Sequence, residues 1–158
     1  MSEFNNRLRV GWIMASAVLV CGGRATSAVA QLPKPMKESE LKAANARALS
    51  GPEMRQVLLG NTSYLVFLAD VGQAKAGATV PMFFRDDRTR VQLLMNKTKQ
   101  EASWWIEGNN VCLEQRAVNV GHNCYSMYQG PGGYYSCLQP TGDCPYLTRV
   151  VPGNPDGL

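Results

Sequence analysis

Four cysteines, Cys112, Cys124, Cys137 and Cys144, and the single histidine, His122, are the side chains whose types and spacing first invite a chemical reading. A thiolate two residues from an imidazole would make an activated nucleophile. That chemistry needs a free thiol, and an even set of cysteines behind an export signal is expected to oxidise into two disulfides instead. Four cysteines allow three pairings. Chain order favours the local one, Cys112 with Cys124 and Cys137 with Cys144, each bridge contributing about 2.5–3 kcal/mol by closing a short loop. One histidine and no C-x-x-C pair leave a zinc site short of ligands, so no metal is expected. No cofactor is expected either: there is no G-x-S-x-G elbow, and the stretch Gly130-Pro131-Gly132-Gly133 links two strands rather than opening a helix that could cradle phosphate.

Glu101, Glu107 and Glu114 lie on or beside one hairpin and could supply the acid and base of a small carboxylate-dependent hydrolase. Glu107 falls at a turn, however, and Glu114 on the polar side of a strand, both ordinary places for surface charge. Asp86-Asp87 reads as turn chemistry rather than a calcium site. Aromatic pairs carry the stronger signal. Trp104 and Trp105 are neighbours in a strand and must point to opposite faces, as must Tyr134 and Tyr135. One member of each pair belongs to the core and the other reaches a surface, interface or cavity; these four residues are the expected ligand or partner contacts.

The elements that must position them follow a leader. Arg7 and Arg9 precede an apolar run over 10–23 that is too short to span a bilayer and leads to Ala28-Val29-Ala30, so residues 1–30 read as a signal peptide with the mature chain starting at Gln31. An uncleaved anchor and a lipidated Cys21 are the alternatives; Arg24 argues against the first, and Val20 before the cysteine against the second. The compartment is then periplasmic or secreted. Once Arg7, Arg9, Arg24 and Glu3 are set aside, bases exceed acids by only two, too small an excess to call for nucleic acid. No second segment reaches membrane length.

Residues 31–49 read as an extended or weakly helical lead, with a helix over 38–48. Ser50 and Glu53 then form a capping box around Pro52, with Met54, Val57 and Leu58 at helical spacing and Gly60 as the stop. From Asn61 onward, short runs rich in Val, Thr, Tyr, Phe and Trp alternate with turn residues. Eight strands are expected near 62–69, 79–84, 88–95, 102–106, 111–116, 124–128, 134–138 and 147–151. Thr89, Val91, Leu93 and Met95 share one strand face, with Arg88, Arg90 and Gln92 on the other, expected wet, face. Arg85, Arg88 and Arg90 around Asp86-Asp87 would form a solvated hairpin tip. The first disulfide should staple two strands from outside the core and the second should pin a loop.

Several of these parts together, Leu49-Ser50-Gly51-Pro52-Glu53, Gly60-Asn61-Thr62, Trp104-Trp105-Ile106 before a Gly-Asn turn, Cys112, a second cysteine beside Tyr125, and the ending Pro152-Gly153-Asn154-Pro155-Asp156-Gly157-Leu158, resemble small exported bacterial proteins of the "domain of unknown function 995" type. The resemblance implies a periplasmic or secreted bacterial β-domain and brings no activity with it. The chain departs from that pattern in its Cys137–Cys144 loop and in the segment 70–78, where a short turn would be expected.

The expectation is therefore a mainly β domain over 50–158, a small antiparallel barrel or sandwich of about eight strands with one or two short N-terminal helices. Its expected role is non-catalytic binding in the bacterial cell envelope, of an unknown protein or a small apolar ligand. The alternatives are an inhibitor of an envelope hydrolase and a small hydrolase. A cavity of a few hundred cubic ångströms would favour the carrier, an exposed aromatic patch on a solid core would favour protein recognition, and two carboxylates facing across a cleft would favour the enzyme.

Overall fold

The computed structural model describes residues 32–114 and 121–158; the leader with Cys21, the proposed start at Gln31, and residues 115–116 of the fifth expected strand lie outside them. The described chain runs β1 (Met36–Lys37), α1 (Glu38–Ala43), α2 (Gly51–Leu58), β2 (Asn61–Phe67), β3 (Thr79–Phe84), β4 (Thr89–Leu93), β5 (Lys99–Glu107), β6 (Asn110–Glu114), β7 (His122–Gly130), β8 (Gly133–Leu138) and β9 (Asp143–Pro152). Strands β2 to β9 form an antiparallel meander. Because β9 pairs with β8 on one side and with β2 on the other, from Asn61↔Pro152 to Phe67↔Tyr146, the eight strands close into a barrel. The short β1 adds to the free stretch at the start of β9, Met36 opposite Cys144.

Pairing register places Met82, Phe84, Trp104, Val111, Leu113, Tyr125, Met127 and Tyr146 on the inner surface, where they form the main core. The expected alternation along β4 is present but turned the other way. Arg90 and Gln92 face inward, paired with Phe84, Met82, Ala102 and Gln100, and Arg90 is fully buried. Ala102 is the physical reason: its methyl side chain opposite Arg90 leaves room for a guanidinium inside the wall. Val91, on the outer face, is buried as well, so β4 has no wet face; of the three arginines expected at the hairpin tip, only Arg85 and Arg88 are exposed there.

Helix α2 closes one end. Its capping box is in place, with the Ser50 N–H and Oγ both donating to Glu53 Oε2 at 2.8 Å, and Met54 and Leu58 enter the core. The helix start lies so close to the β5–β6 turn that a Cβ on Gly51 would stand 2.3 Å from the Gly108 carbonyl oxygen. Gly60, at φ +72°, turns the chain directly into β2.

The expected helix over 38–48 stops at Ala43, because Asn45 adopts a left-handed conformation (φ +55°) and the Ala46 N–H returns to the Leu41 carbonyl. The following residues run as a strap along β7, with the Leu49 N–H donating to Met127 O and the Gln129 N–H to Arg47 O. A helix of six residues cannot hold itself together, so α1 depends on the barrel wall. Leu41 packs with Val66, Leu68, Tyr128, Tyr135 and Leu147 in a second, outer cluster. Glu38 accepts hydrogen bonds from Tyr128 Oη (2.7 Å), Gln139 Nε2 (3.0 Å) and Ser126 Oγ (3.4 Å), and pairs with Lys42 at 3.0 Å. Burial alone would raise the Glu38 pKa, but the bonds from Gln139, Tyr128 and Lys42 prevail and bring it down to about 2.

Both expected disulfides are present. Cys112–Cys124 joins β6 to β7 on the outer face. Cys137–Cys144 does more than pin a loop: it ties β8 to β9 across a bulge and is buried in the outer cluster.

Two outcomes follow from this packing. Gly51→Ala should lower stability by about 1–3 kcal/mol, a cost of overpacking against a backbone oxygen, measurable by urea denaturation; an unchanged midpoint would show that α2 does not bear on that turn. Glu38→Gln should cost about 1–3 kcal/mol at neutral pH. Because the folded pKa lies below the ordinary 4.5, this contribution is fully present above that pH and is lost as pH falls toward 2. Wild type and variant should converge in acid, and a difference independent of pH would count against the Glu38 lock.

Candidate functional site: the open end of the barrel

The end of the barrel opposite α2 is not filled. There the walls enclose a chamber of about 710 Å³, within the range of about 300–1,000 Å³ that small-molecule sites occupy. Leu65 and Phe67 of β2, Val80 and Met82 of β3, Leu113 of β6, Tyr125 of β7 and Tyr146 of β9 supply the apolar lining. One side is made by the segment 70–78, the stretch where a short turn had been expected. Val71, Gly72, Gln73 and Ala74 face the chamber. Their loop is held by mutual Val71–Ala74 backbone bonds and by Asp70, which accepts from the Ala76 N–H at 2.9 Å and from Lys75 at 2.7 Å. Met95, on the β4–β5 connection, stands at the rim with 65% of its surface exposed.

Deeper in, a second void of about 20 Å³ reaches down to Leu58 of the α2 plug, room for about one water-sized group. Leu65, Met82, Leu113 and Tyr125 border both spaces. The Ser136 and Thr148 hydroxyls bond each other there at 2.7 Å, while Ser63 Oγ has no partner.

The lining carries few polar groups and, among the described residues, no Asp, Glu, Lys, Arg, His or Cys. Gln92, Asn123 and the phenols of Tyr125 and Tyr146 are its main handles. Burial raises the pKa of both phenols, so each stays neutral. Two residues from Gln92 on the same inner face of β4, and not itself part of the lining, lies Arg90. Its Nη1 donates to Gln92 Oε1 and lies 3.5 Å from Met82 Sδ, its Nη2 donates to the Glu114 carbonyl, and its Nε has no acceptor. Burial brings the Arg90 pKa down to about 10 against the opposing pull of Tyr125 and Glu114, so the guanidinium is still a cation at neutral pH. A buried donor left unbonded costs on the order of 1–3 kcal/mol, which makes Arg90 an expensive choice for a barrel wall.

The four aromatic residues expected as contacts are placed elsewhere. Trp104 is a core side chain, edge-on to Phe84 with ring centroids 4.9 Å apart, its Nε1 donating to the Asp86 carbonyl at 2.7 Å. Trp105 faces outward opposite Cys112, edge-on to His122. Tyr134 points inward near the β7–β8 hairpin, and Tyr135 is buried outside in the cluster beneath α1. None of the four lines the chamber.

The carboxylates considered for hydrolysis have separate partners. Glu101 pairs with Arg85 at 2.7 Å, Glu107 lies 3.4 Å from Trp105 Nε1, and Glu114 Oε2 accepts from the Ser103 N–H at 2.8 Å. Asp86 caps its own turn through the Arg88 and Thr89 N–H groups, and Asp87 pairs with Arg55 of α2. Glu107 clusters with Cys112 and Cys124 at ligand-like distances, but both sulfurs belong to the disulfide and offer no thiolate to a metal. The same bond occupies the sulfur nearest in sequence to His122.

Comparison with protein-family models, curated proteins and solved structures returns no match. The functional reading therefore stands on the geometry of the chamber.

Because Ser63 Oγ is buried without a partner, Ser63→Ala should leave stability unchanged or raise it by up to about 1 kcal/mol. Thermal denaturation checks this. A loss above that size would mean that an ordered water bonds the hydroxyl in the lower void.

Proposed function

We propose that the protein is an exported binding protein, without catalytic chemistry of its own, that carries a small apolar molecule in the mouth of its barrel. The observation that carries this reading is the chamber of about 710 Å³, apolar in most of its lining, at the end of the barrel opposite the α2 plug. Burying apolar surface in a preformed cleft is favourable by roughly 25 cal/mol per Å² before the costs of association. A lining without acids, bases or thiols among the described residues supports binding over hydrolysis. Two disulfides suit an oxidising compartment, and among the described residues no helix is long and apolar enough to cross a membrane. With the Ala28-Val29-Ala30 leader, these features support release into a bacterial periplasm or beyond it.

The test is a titration with N-phenyl-1-naphthylamine, a neutral probe that fluoresces when it leaves water. Wild type should bind it with a dissociation constant in the range of about 1–100 μM. Leu65→Trp, which places an indole in the chamber, should weaken binding by about tenfold or more while the melting temperature stays near that of wild type. Absence of probe binding to the folded wild-type protein would refute the carrier reading. So would binding that Leu65→Trp leaves untouched.

A further inference from the structure

Gln92 and Arg90 give the chamber a feature that a purely apolar carrier does not need. A barrel wall that only excluded water would place an aliphatic side chain opposite Ala102. Here a guanidinium is buried completely on the same inner face of β4 as Gln92, just outside the lining, with Nε lacking any acceptor. The acceptor on Nη1 is the Gln92 side-chain oxygen, which belongs to a residue that lines the chamber. Gln92 has a second partner, since its Nε2 donates to Gln100 Oε1 at 2.9 Å. Turning its amide away from Arg90 would open a path from the chamber to the guanidinium.

We propose that the chamber takes an amphipathic monocarboxylic acid, chain against the apolar walls and head inward, with the carboxylate replacing the Gln92 oxygen on Arg90. The inference rests on the carrier reading and names its ligand class. A carboxylate oxygen can take the place of the neutral Gln92 amide oxygen on Nη1, where the bond becomes charge-assisted from both sides and so stronger. A single cation balances a single negative charge. A doubly charged phosphate would call for a second basic side chain, and no Lys or Arg lines the chamber among the described residues. Head-inward insertion also leaves the apolar tail beneath Leu65, Phe67 and Val71, and at the rim against Met95.

The experiment displaces N-phenyl-1-naphthylamine from the purified protein with dodecanoate, dodecanol and dodecylamine, which share a chain and differ in head group, and follows each directly by calorimetry. Dodecanoate should bind at least about tenfold more tightly than dodecanol, the ratio expected when a charge-assisted pair is gained, and dodecylamine should bind weakest. In Arg90→Met the ratio of acid to alcohol affinity should fall toward one. In Gln92→Leu, where no side-chain oxygen competes for Nη1, it should rise. Circular dichroism establishes that each variant is folded; if Arg90→Met is not, the wild-type ranking and Gln92→Leu decide. Probe binding without any preference for the acid would overturn this inference and leave the carrier reading standing. No binding of probe, alcohol or acid would overturn both.

Discussion

The pairing of β2 with β9 is the constraint on which the rest depends. It joins residues 79 to 91 positions apart in the chain, from Phe67↔Tyr146 to Asn61↔Pro152, and turns a meander into a closed wall. Closure satisfies the backbone of what would otherwise be two open edges. It also creates an inside that must be filled or left hollow. At one end α2 fills it with Met54 and Leu58; at the other, Leu65, Phe67, Tyr125 and Tyr146 line the wall without meeting in the middle. Plug and chamber are two answers to the same geometric problem.

Much of this architecture was legible in the residues. All eight expected strands overlap observed ones, because alternating β-branched and aromatic residues bounded by turns leave little freedom in placing a strand. The Ser50–Glu53 box located α2, and strand parity brought Cys112 opposite Cys124. What parity could not supply is which face turns inward. Along β4 both faces are covered, Arg90 by the barrel and Val91 by its outer surroundings, so the usual guide of polar residues facing water misleads. Only the register with β5, which sets Ala102 opposite Arg90, shows where a guanidinium fits, and register is a long-range property.

The chamber was hidden for a related reason. Its lining residues come from separate strands and have the composition of any core; emptiness depends on how their volumes add up after closure. The aromatic pairs were conspicuous because they are adjacent, yet adjacency only guarantees opposite faces. Trp104 went to the core and Tyr135 to the outer cluster, while Trp105 faces outward and Tyr134 points inward near the β7–β8 hairpin. The better signal was the extended segment 70–78. A connection longer than a tight turn between β2 and β3 has to lie against something, and Val71 and Ala74 lie over the open end.

Helix α2 is fastened at both of its ends. Before it, the strap is bonded to β7 through Leu49 and Arg47; after it, Gly60 leads at once into β2 while its N–H holds the Phe84 carbonyl. The closed end of the barrel is therefore a dead end. A guest would leave by the path on which it came, in reverse order, with the part that entered first departing last. Arrival and departure would share one barrier at the rim, among Val71, Ala74 and Met95, while the depth of the energy well would be set beneath it by Gln92 and Arg90. Changes at the rim would then speed or slow entry and exit together and leave affinity as it is, whereas changes at Gln92 or Arg90 would alter affinity and residence time together.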